Sequence, residues 1–191
     1  MNMPVSAARP IEATPQADRL QPVIATARLT LRPLRRQDRE QLQLYTGDRR
    51  VAEGTRSIPH PLPDGTADGF IEAALKPGHE EDVWAMDGAP QGSASLMGVI
   101  SLKPLDRGQS QIGYWVAPAF WNTGLASEAV RALIEANPHH SRTMFAEVFQ
   151  DNPVSARILT NAGFEYIGDA EAFSEARGRS VPTWTYLRRM G

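Results

Sequence analysis

Three strand-like runs stand in succession in the middle of this chain, separated only by turn chemistry. Val83–Met86 runs into Asp87-Gly88, Ser95–Leu102 into Asp106-Arg107-Gly108, and Gln111–Val116 ends at Pro118. Strands joined this closely pair antiparallel. The next strand-like run, Arg142–Phe149, follows a helical stretch from Leu125 to Ala136 in which Leu125, Ala129, Val130, Leu133 and Ile134 share one side. An intervening helix is the crossover that brings a strand back parallel to its predecessor. The chain is thereby committed to an α+β fold: a mixed, mostly antiparallel sheet flanked by helices with one βαβ crossover, not a doubly wound sheet.

The flanking segments complete the order. Leu29 and Leu31 alternate with Arg28, Thr30 and Arg32, a half-buried strand that stops at Pro33. Asp38 opens a polar helix through Leu42 and Tyr45. Residues 56–63 hold three prolines in their last five positions and form a stiff loop. A helix follows Thr66, with Ala67, Phe70, Ile71 and Ala74 at helical spacing. Asn152-Pro153 starts another as N-cap and first-turn proline, and Gly163 closes it. Phe164–Ile167 and Pro182–Arg188 are the last strands. The order is β-α-α-β-β-β-α-β-α-β-β, with no internal repeat. Residues 1–24 carry four prolines and no periodicity, so a mobile arm is expected there and a single domain over 25–191.

Composition closes several routes. The 191 residues have a net charge of −2, and 18 of the 20 basic residues are arginine. A near-neutral balance argues against life on a nucleic-acid backbone, and Arg35, Arg36, Arg39, Arg49 and Arg50 alternate with Asp38, Glu40 and Asp48 as on a solvated helix face. Without cysteine there is no disulfide, thiolate zinc site or cysteine nucleophile. No run approaches the ~18 apolar residues of a membrane span, and nothing reads as a signal peptide, so a cytoplasmic location is expected. Neither phosphate-loop nor dinucleotide glycine motifs occur, nor H-E-x-x-H, and no Ser-His-Asp set is evident. His139 and His140 follow the central helix, where a cation complements the C-terminal dipole; no metal site is expected. His60 sits in the proline loop.

The segment richest in chemistry is residues 111–130. A strand ends at Pro118, a tight turn carries Asn122, Thr123 and Gly124, and a helix begins. Such a turn can aim backbone N–H groups at a phosphate or pyrophosphate, and the small residues Gly124, Ala126 and Ser127 allow close approach. A plain strand-to-helix connection has the same spacing. Residues 113–129, Gly-Tyr-Trp-Val-Ala-Pro-Ala-Phe-Trp-Asn-Thr-Gly-Leu-Ala-Ser-Glu-Ala, resemble motif A of the GNAT superfamily of acyl-CoA N-acyltransferases. The nearest pattern is that of the RimJ/RimL ribosomal-protein N-acetyltransferase branch, which often reads G-Y-W-x-x-P-x-[FY]-W-x-x-G-x-A-[ST]-E-A. Residues 152–164 are similar to that branch's D-N-x-x-S-x-x-[VI]-L-x-x-x-G-F, and 28–34 and 58–61 extend the likeness over about 26–190.

The resemblance implies acetyl-CoA as cosubstrate, held by Val116, Asn122, Thr123, Gly124, Leu125, Ala126, Ser127 and Asn152, and direct attack of an amine on the thioester. Asn152 reads equally as a helix cap. Splayed strands beside Val116 would offer backbone groups to the pantetheine arm. There are departures from the motif: Trp121, Asn122 and Thr123 stand at positions often held by Gln or Arg, by Gly and by a basic residue. Leu159 stands where many relatives place a tyrosine acid, which leaves Ser155, one turn earlier, as the proton donor that the RimL-like pattern implies.

For the base, strand alternation sets Phe145, Glu147 and Phe149 on one face, and the resemblance to RimI-like members implies Glu147. Glu147 also reads as a structural partner of Arg142 or Arg188. The acceptor, a peptide N-terminal α-amine or a small-molecule amine, is expected against the proline loop and the first two helices. No nucleic-acid or membrane partner is expected, and the state is monomer or homodimer. A non-catalytic acyl-CoA-binding module is the alternative.

Overall fold

Eight strands form one sheet in the order β1-β2-β3-β4-β5-β6-β8-β7 in the computed structural model, which describes residues 21–191. The strands are β1 (Ile24–Ala25), β2 (Thr30–Pro33), β3 (Asp82–Asp87), β4 (Gly98–Leu105), β5 (Gln109–Val116), β6 (Thr143–Phe149), β7 (Glu165–Ser174) and β8 (Arg179–Arg189). The helices are α1 (Arg39–Thr46), α2 (Arg49–Glu53), α3 (Thr66–Leu75), α4 (Leu125–Ala136) and α5 (Pro153–Asn161). Only β5 and β6 pair in parallel, because α4 carries the chain back across the sheet between them. The mixed α+β sheet and its crossover are those read from the sequence.

Each face of the sheet has its own core. On one, Ile112, Val116, Met144, Ala146 and Val148 pack with Leu125, Ala129, Val130 and Leu133 of α4 and Leu159 of α5. The five α4 positions grouped by periodicity are the five that are buried. On the other, Leu42 of α1 and Ala67 and Ile71 of α3 pack on Val83, Ala85, Val99 and the edge of Trp115. Burying an aliphatic side chain contributes about 1.5–3 kcal/mol, so the helices are held mainly by these stripes. α5 is capped as expected: Asn152 Oδ1 accepts from Ser155 N at 3.2 Å, and Gly163 takes a positive φ of 80° after its end.

Because both faces are covered, Arg32 lies inside. The alternation had set it on the polar side of a half-buried strand. It is 4% exposed, bonding Asp38 through two nitrogens (2.7 and 2.8 Å), Asp87 (2.5 Å) and the Ser95 carbonyl (2.9 Å). Its hydrogen bond to Asp38 raises its pKa further despite burial, so the cation is permanent.

Other differences have local causes. β1 and α2 are too short for periodicity to reveal; α2 is set by Asp48, whose side chain accepts from Arg50 N at 2.9 Å. β4 begins and ends three residues later than expected, since Arg32 draws the Ser95 carbonyl off the ladder and Gln41 takes its hydroxyl. β7 and β8 are longer than the runs that announced them, because β7 is mostly exposed and a bulge between Tyr166 and Gly168 breaks its alternation. Of the arm expected over 1–24, residues 1–20 lie outside the described residues. Gln21 Nε2 donates to the Val83 carbonyl, and the Pro22 carbonyl accepts from Trp84 Nε1.

Candidate active site

The parallel pair β5–β6 is bonded only at its start, Gln109–Gln111 against Thr143–Phe145. Beyond it β5 stays with β4 as far as Val116, and β6 stays with β8 as far as Phe149. The facing edges after Ile112 and Ala146 therefore have no ladder partner. A cavity of about 670 Å³ opens there, walled by Gly113 and Trp115 of β5, Glu147 of β6, Asn152 and Ser155 at α5, the loop 54–58, and Phe173 of β7. The wedge is the expected splay, and α1, α3 and the proline loop, against which the acceptor is expected, also line the cavity.

The vertex of the wedge is pinned by a chain of polar groups that escaped the sequence reading. His79 Nε2 and His139 Nε2 each contact Asp82 at 2.6 Å, His139 Nδ1 meets Ser110 Oγ at 3.2 Å, and Ser110 Oγ meets Ser141 Oγ at 2.6 Å. His139 thus faces a carboxylate across the sheet and does not simply cap α4. A Ser-His-Asp arrangement does exist, but Ser110 is buried away from the cavity and its hydroxyl is engaged by His139 and Ser141, so it is structural. Hydrogen bonding to Asp82 raises the His79 pKa; burial pushes Asp82 up, but the two histidines outweigh it and hold it below the usual range. Among the described residues no group of His, Cys, Asp and Glu could hold a metal.

Glu147 points into the cavity from the face opposite Met144, Ala146 and Val148, as alternation requires. Its partner is Arg56, with Nη1 donating to Oε2 at 2.6 Å. The two expected partners are engaged elsewhere: Arg142 with the Arg107 carbonyl and Arg188 with the Ala162 carbonyl. Ser155 lines the same cavity, and its carbonyl accepts from the Tyr114 hydroxyl at 3.2 Å. Burial pushes the Tyr114 phenol far up, so it stays protonated. Leu159, at the place of the missing tyrosine, lies buried against the cavity. Neither Arg56 nor Tyr114 has a role assigned from the sequence: Arg56 is brought here by the loop tied to Glu175, and Tyr114 by its place on β5.

The turn before α4 lies outside this cavity. Asn122 adopts φ 60° and Gly124 φ 81°, the left-handed region that asparagine and glycine tolerate best. Trp121 Nε1 donates to the Val116 carbonyl at 2.7 Å, and the Thr123 hydroxyl to the Phe120 carbonyl at 2.5 Å. Gly124 is the N-cap of α4 and supplies no side chain to the first-turn N–H groups, which leaves them open to an anion. A cation is present although Thr123 is neutral. Arg28 Nη1 donates to the Thr123 carbonyl and its Nε to Glu128, both at 2.6 Å. Burial pushes Glu128 up, but hydrogen bonds from Thr26 and Arg28 outweigh it and keep it ionised. An uncapped helix N-terminus, a small-residue turn and an arginine form a donor set suited to pyrophosphate, and the open strand edges to an amide-bearing arm.

Residues 28–165 match the acetyltransferase (GNAT) domain family. The chain belongs to the GNAT acetyltransferase family. It is an acyl-CoA-dependent N-acetyltransferase, and its eight-stranded sheet is the fold of that family. A relative is the uncharacterized N-acetyltransferase p20 of Bacillus licheniformis, 24% identical over 165 residues, which are 84% of this chain and 92% of that protein. Two solved structures share the fold. RimL, a ribosomal L7/L12 α-N-protein acetyltransferase in complex with coenzyme A, superposes with TM-score 0.75 at 16% identity, over 88% of this acetyltransferase and 98% of RimL. Spermidine N-acetyltransferase from Vibrio cholerae, in complex with CoA and spermine, gives 0.72 at 16% identity, over 85% and 96%. Among the described residues no helix of the acetyltransferase is long and apolar enough to cross a membrane.

Proposed function

We propose that this acetyltransferase, a member of the RimJ/RimL-like branch, moves an acetyl group from acetyl-CoA to a primary α-amine by direct attack, with Glu147 as base and Ser155 as acid. The observation that carries the reading is the wedge between β5 and β6, which gathers Glu147, Ser155 and open strand edges around one cavity. Acetyl-CoA supplies an activated acyl group and a thiolate leaving group. The turn 122–127 and Arg28 hold its pyrophosphate, and the backbone beside Val116 together with Asn152 holds its pantetheine arm. Backbone N–H groups on the open edge of β5 stabilise charge developing on the thioester oxygen. Glu147 takes the proton from the ammonium, directly or through one water, and Ser155 delivers a proton to the departing sulfur.

An α-amine suits a single carboxylate base. At a peptide N-terminus its pKa near ~8 against ~10.4 for lysine makes deprotonation at neutral pH easier by about 3 kcal/mol. The test is thiol release from acetyl-CoA with a panel of amines, for the natural chain and for Glu147→Gln. The variant is expected to keep its acetyl-CoA affinity and to lose about a hundredfold or more in kcat, with much of the loss recovered at high pH. Unchanged turnover across the pH range would assign Glu147 to structure. Intact binding without turnover of any amine would mark a sensing module instead.

A further inference from the structure

The charges inside the acceptor cavity are paired in a way that a simple amine does not match. Arg56 and Glu147 face each other there, their side chains 54% and 27% exposed. Their contact is a single bond from Nη1 to Oε2, not the two-point fork a guanidinium can offer a carboxylate. The backbone that carries Arg56 is fastened: its carbonyl accepts from Glu175 N at 2.9 Å. The neighbouring Glu53 carbonyl is held by Arg177 at 2.9 and 2.7 Å, and that arginine also pairs with Asp151 and stacks 4.8 Å from the Phe149 ring centre. The guanidinium is thus presented from a loop tied to the tip of the β7–β8 hairpin.

A second observation lies on the floor of the same cavity. Thr183 is 1% exposed and lines the cavity, and its Oγ1 has no hydrogen-bond partner. The register sets Phe149 beside Thr183 and Glu147 beside Thr185, so Thr183 stands on the face of Glu147, one diagonal away. Buried polar atoms without partners are rare, and a bound ligand is one explanation for such an atom.

An ammonium that reaches Glu147 competes with Arg56 for the same carboxylate. A peptide N-terminus or a polyamine brings positive charge alone and leaves the guanidinium without a counter-ion beside a second cation, a like-charge contact that opposes binding. A carboxylate on the carbon next to the amine removes the conflict, because one protein ion pair is exchanged for two with the ligand. We propose that the acceptor is a zwitterion, a free α-amino acid, with its ammonium on Glu147 and its carboxylate on Arg56 and the Thr183 hydroxyl. The walls formed by Ile58, Leu62, Phe70 and Phe173 suit an apolar side chain.

The inference rests on the acetyl-transfer reading above and narrows it. The ammonium gives one proton to Glu147, which returns it to water. The nitrogen lone pair forms the C–N bond to the acetyl carbon, and the C–S bond breaks with its electrons on sulfur. A second amine proton is then lost as sulfur gains one through Ser155, so the products are the N-acetyl amino acid and the free thiol.

The experiment compares free leucine and phenylalanine with their amides, with dipeptides bearing them at the N-terminus, and with a polyamine, reading thiol release and, separately, acetyl-CoA binding by calorimetry. The amides are the more easily deprotonated, since they lack the neighbouring carboxylate, so any preference for the acids reports recognition. The acids are expected to exceed their amides in kcat/KM by at least about tenfold. Arg56→Gln should bring that ratio to within about threefold, and Thr183→Val, nearly isosteric, should lower it without loss of folding. Amides or dipeptides turned over as well as the acids, or a ratio that Arg56→Gln does not move, would overturn the inference alone. Failure of acetyl-CoA to bind would sink the acetyl-transfer reading and this inference with it; binding without turnover of any acceptor would remove the amino acids as substrates.

Discussion

Gly124→Val tests the placement of the cofactor on the turn before α4. Gly124 has φ 81° and ψ 5°, and a side chain there costs roughly 1–2 kcal/mol from backbone conformation alone. Its Cβ would stand 3.3 Å from Arg28 Nη2. That arginine cannot swing away freely, since it is held at 2.6 Å by both Glu128 and the Thr123 carbonyl. Valine therefore either displaces Arg28 or turns the backbone to negative φ and re-aims the N–H groups of the first turn. In both cases at least one charge-assisted contact to pyrophosphate is lost, about 1.5–3 kcal/mol. Acetyl-CoA affinity should fall at least about tenfold, since 1.4 kcal/mol is a factor of ten. Gly124 is exposed, so the fold should survive with local strain of about 1–3 kcal/mol, which a melting curve will show. Calorimetry on the folded variant is the assay, with Gly124→Ala expected between the two. Unchanged affinity in folded Gly124→Val would refute the placement.

Arg32→Met should destabilise the protein by about 3–5 kcal/mol, because it leaves Asp38 and Asp87 buried without their cation; a urea midpoint unmoved by the change would show that the network contributes little. The cluster around Asp82 predicts a pH window. His79 is raised by its bond to Asp82, so its contribution is complete below about 6.5 and is lost as pH climbs through the raised value. Asp82 is depressed, so its contribution is present above about 3.8 and is lost as pH falls through the lowered value. The Tm difference between the natural chain and Asp82→Asn should thus be largest between those limits and shrink towards pH 9 by at most about 3 °C; a flat difference would dissociate the pair from stability. A chain beginning at Gln21 should keep the intact kcat. One beginning at Ile24 loses the bonds to the Val83 carbonyl and Trp84 Nε1 and should melt earlier, and equal melting would make those contacts dispensable.

The sequence by itself determined the sheet and its crossover. Turns at Asp87-Gly88 and Asp106–Gly108 left the central strands no choice but antiparallel pairing, and the stripe Leu125–Ile134 required a helix between β5 and β6. The left-handed residues Asn122 and Gly124 and the cap at Asn152 were legible for the same reason: each is a local backbone requirement met by one residue type. Strand parity also put Glu147 on the right face.

Its partner could not be read. Arg56 lies 91 residues away and meets Glu147 only because the proline loop folds over the wedge. Likewise Arg32 looked like a solvent-facing residue until α1 and α3 covered the second face, and His139 looked like a dipole cap until the sheet brought Asp82 within 2.6 Å. Periodicity reports which side of an element is apolar, within a few residues. It carries nothing about which distant polar group will stand across a cavity, because that depends on the register and packing of the whole sheet, and the pairing of Arg56 with Glu147 is set at that level.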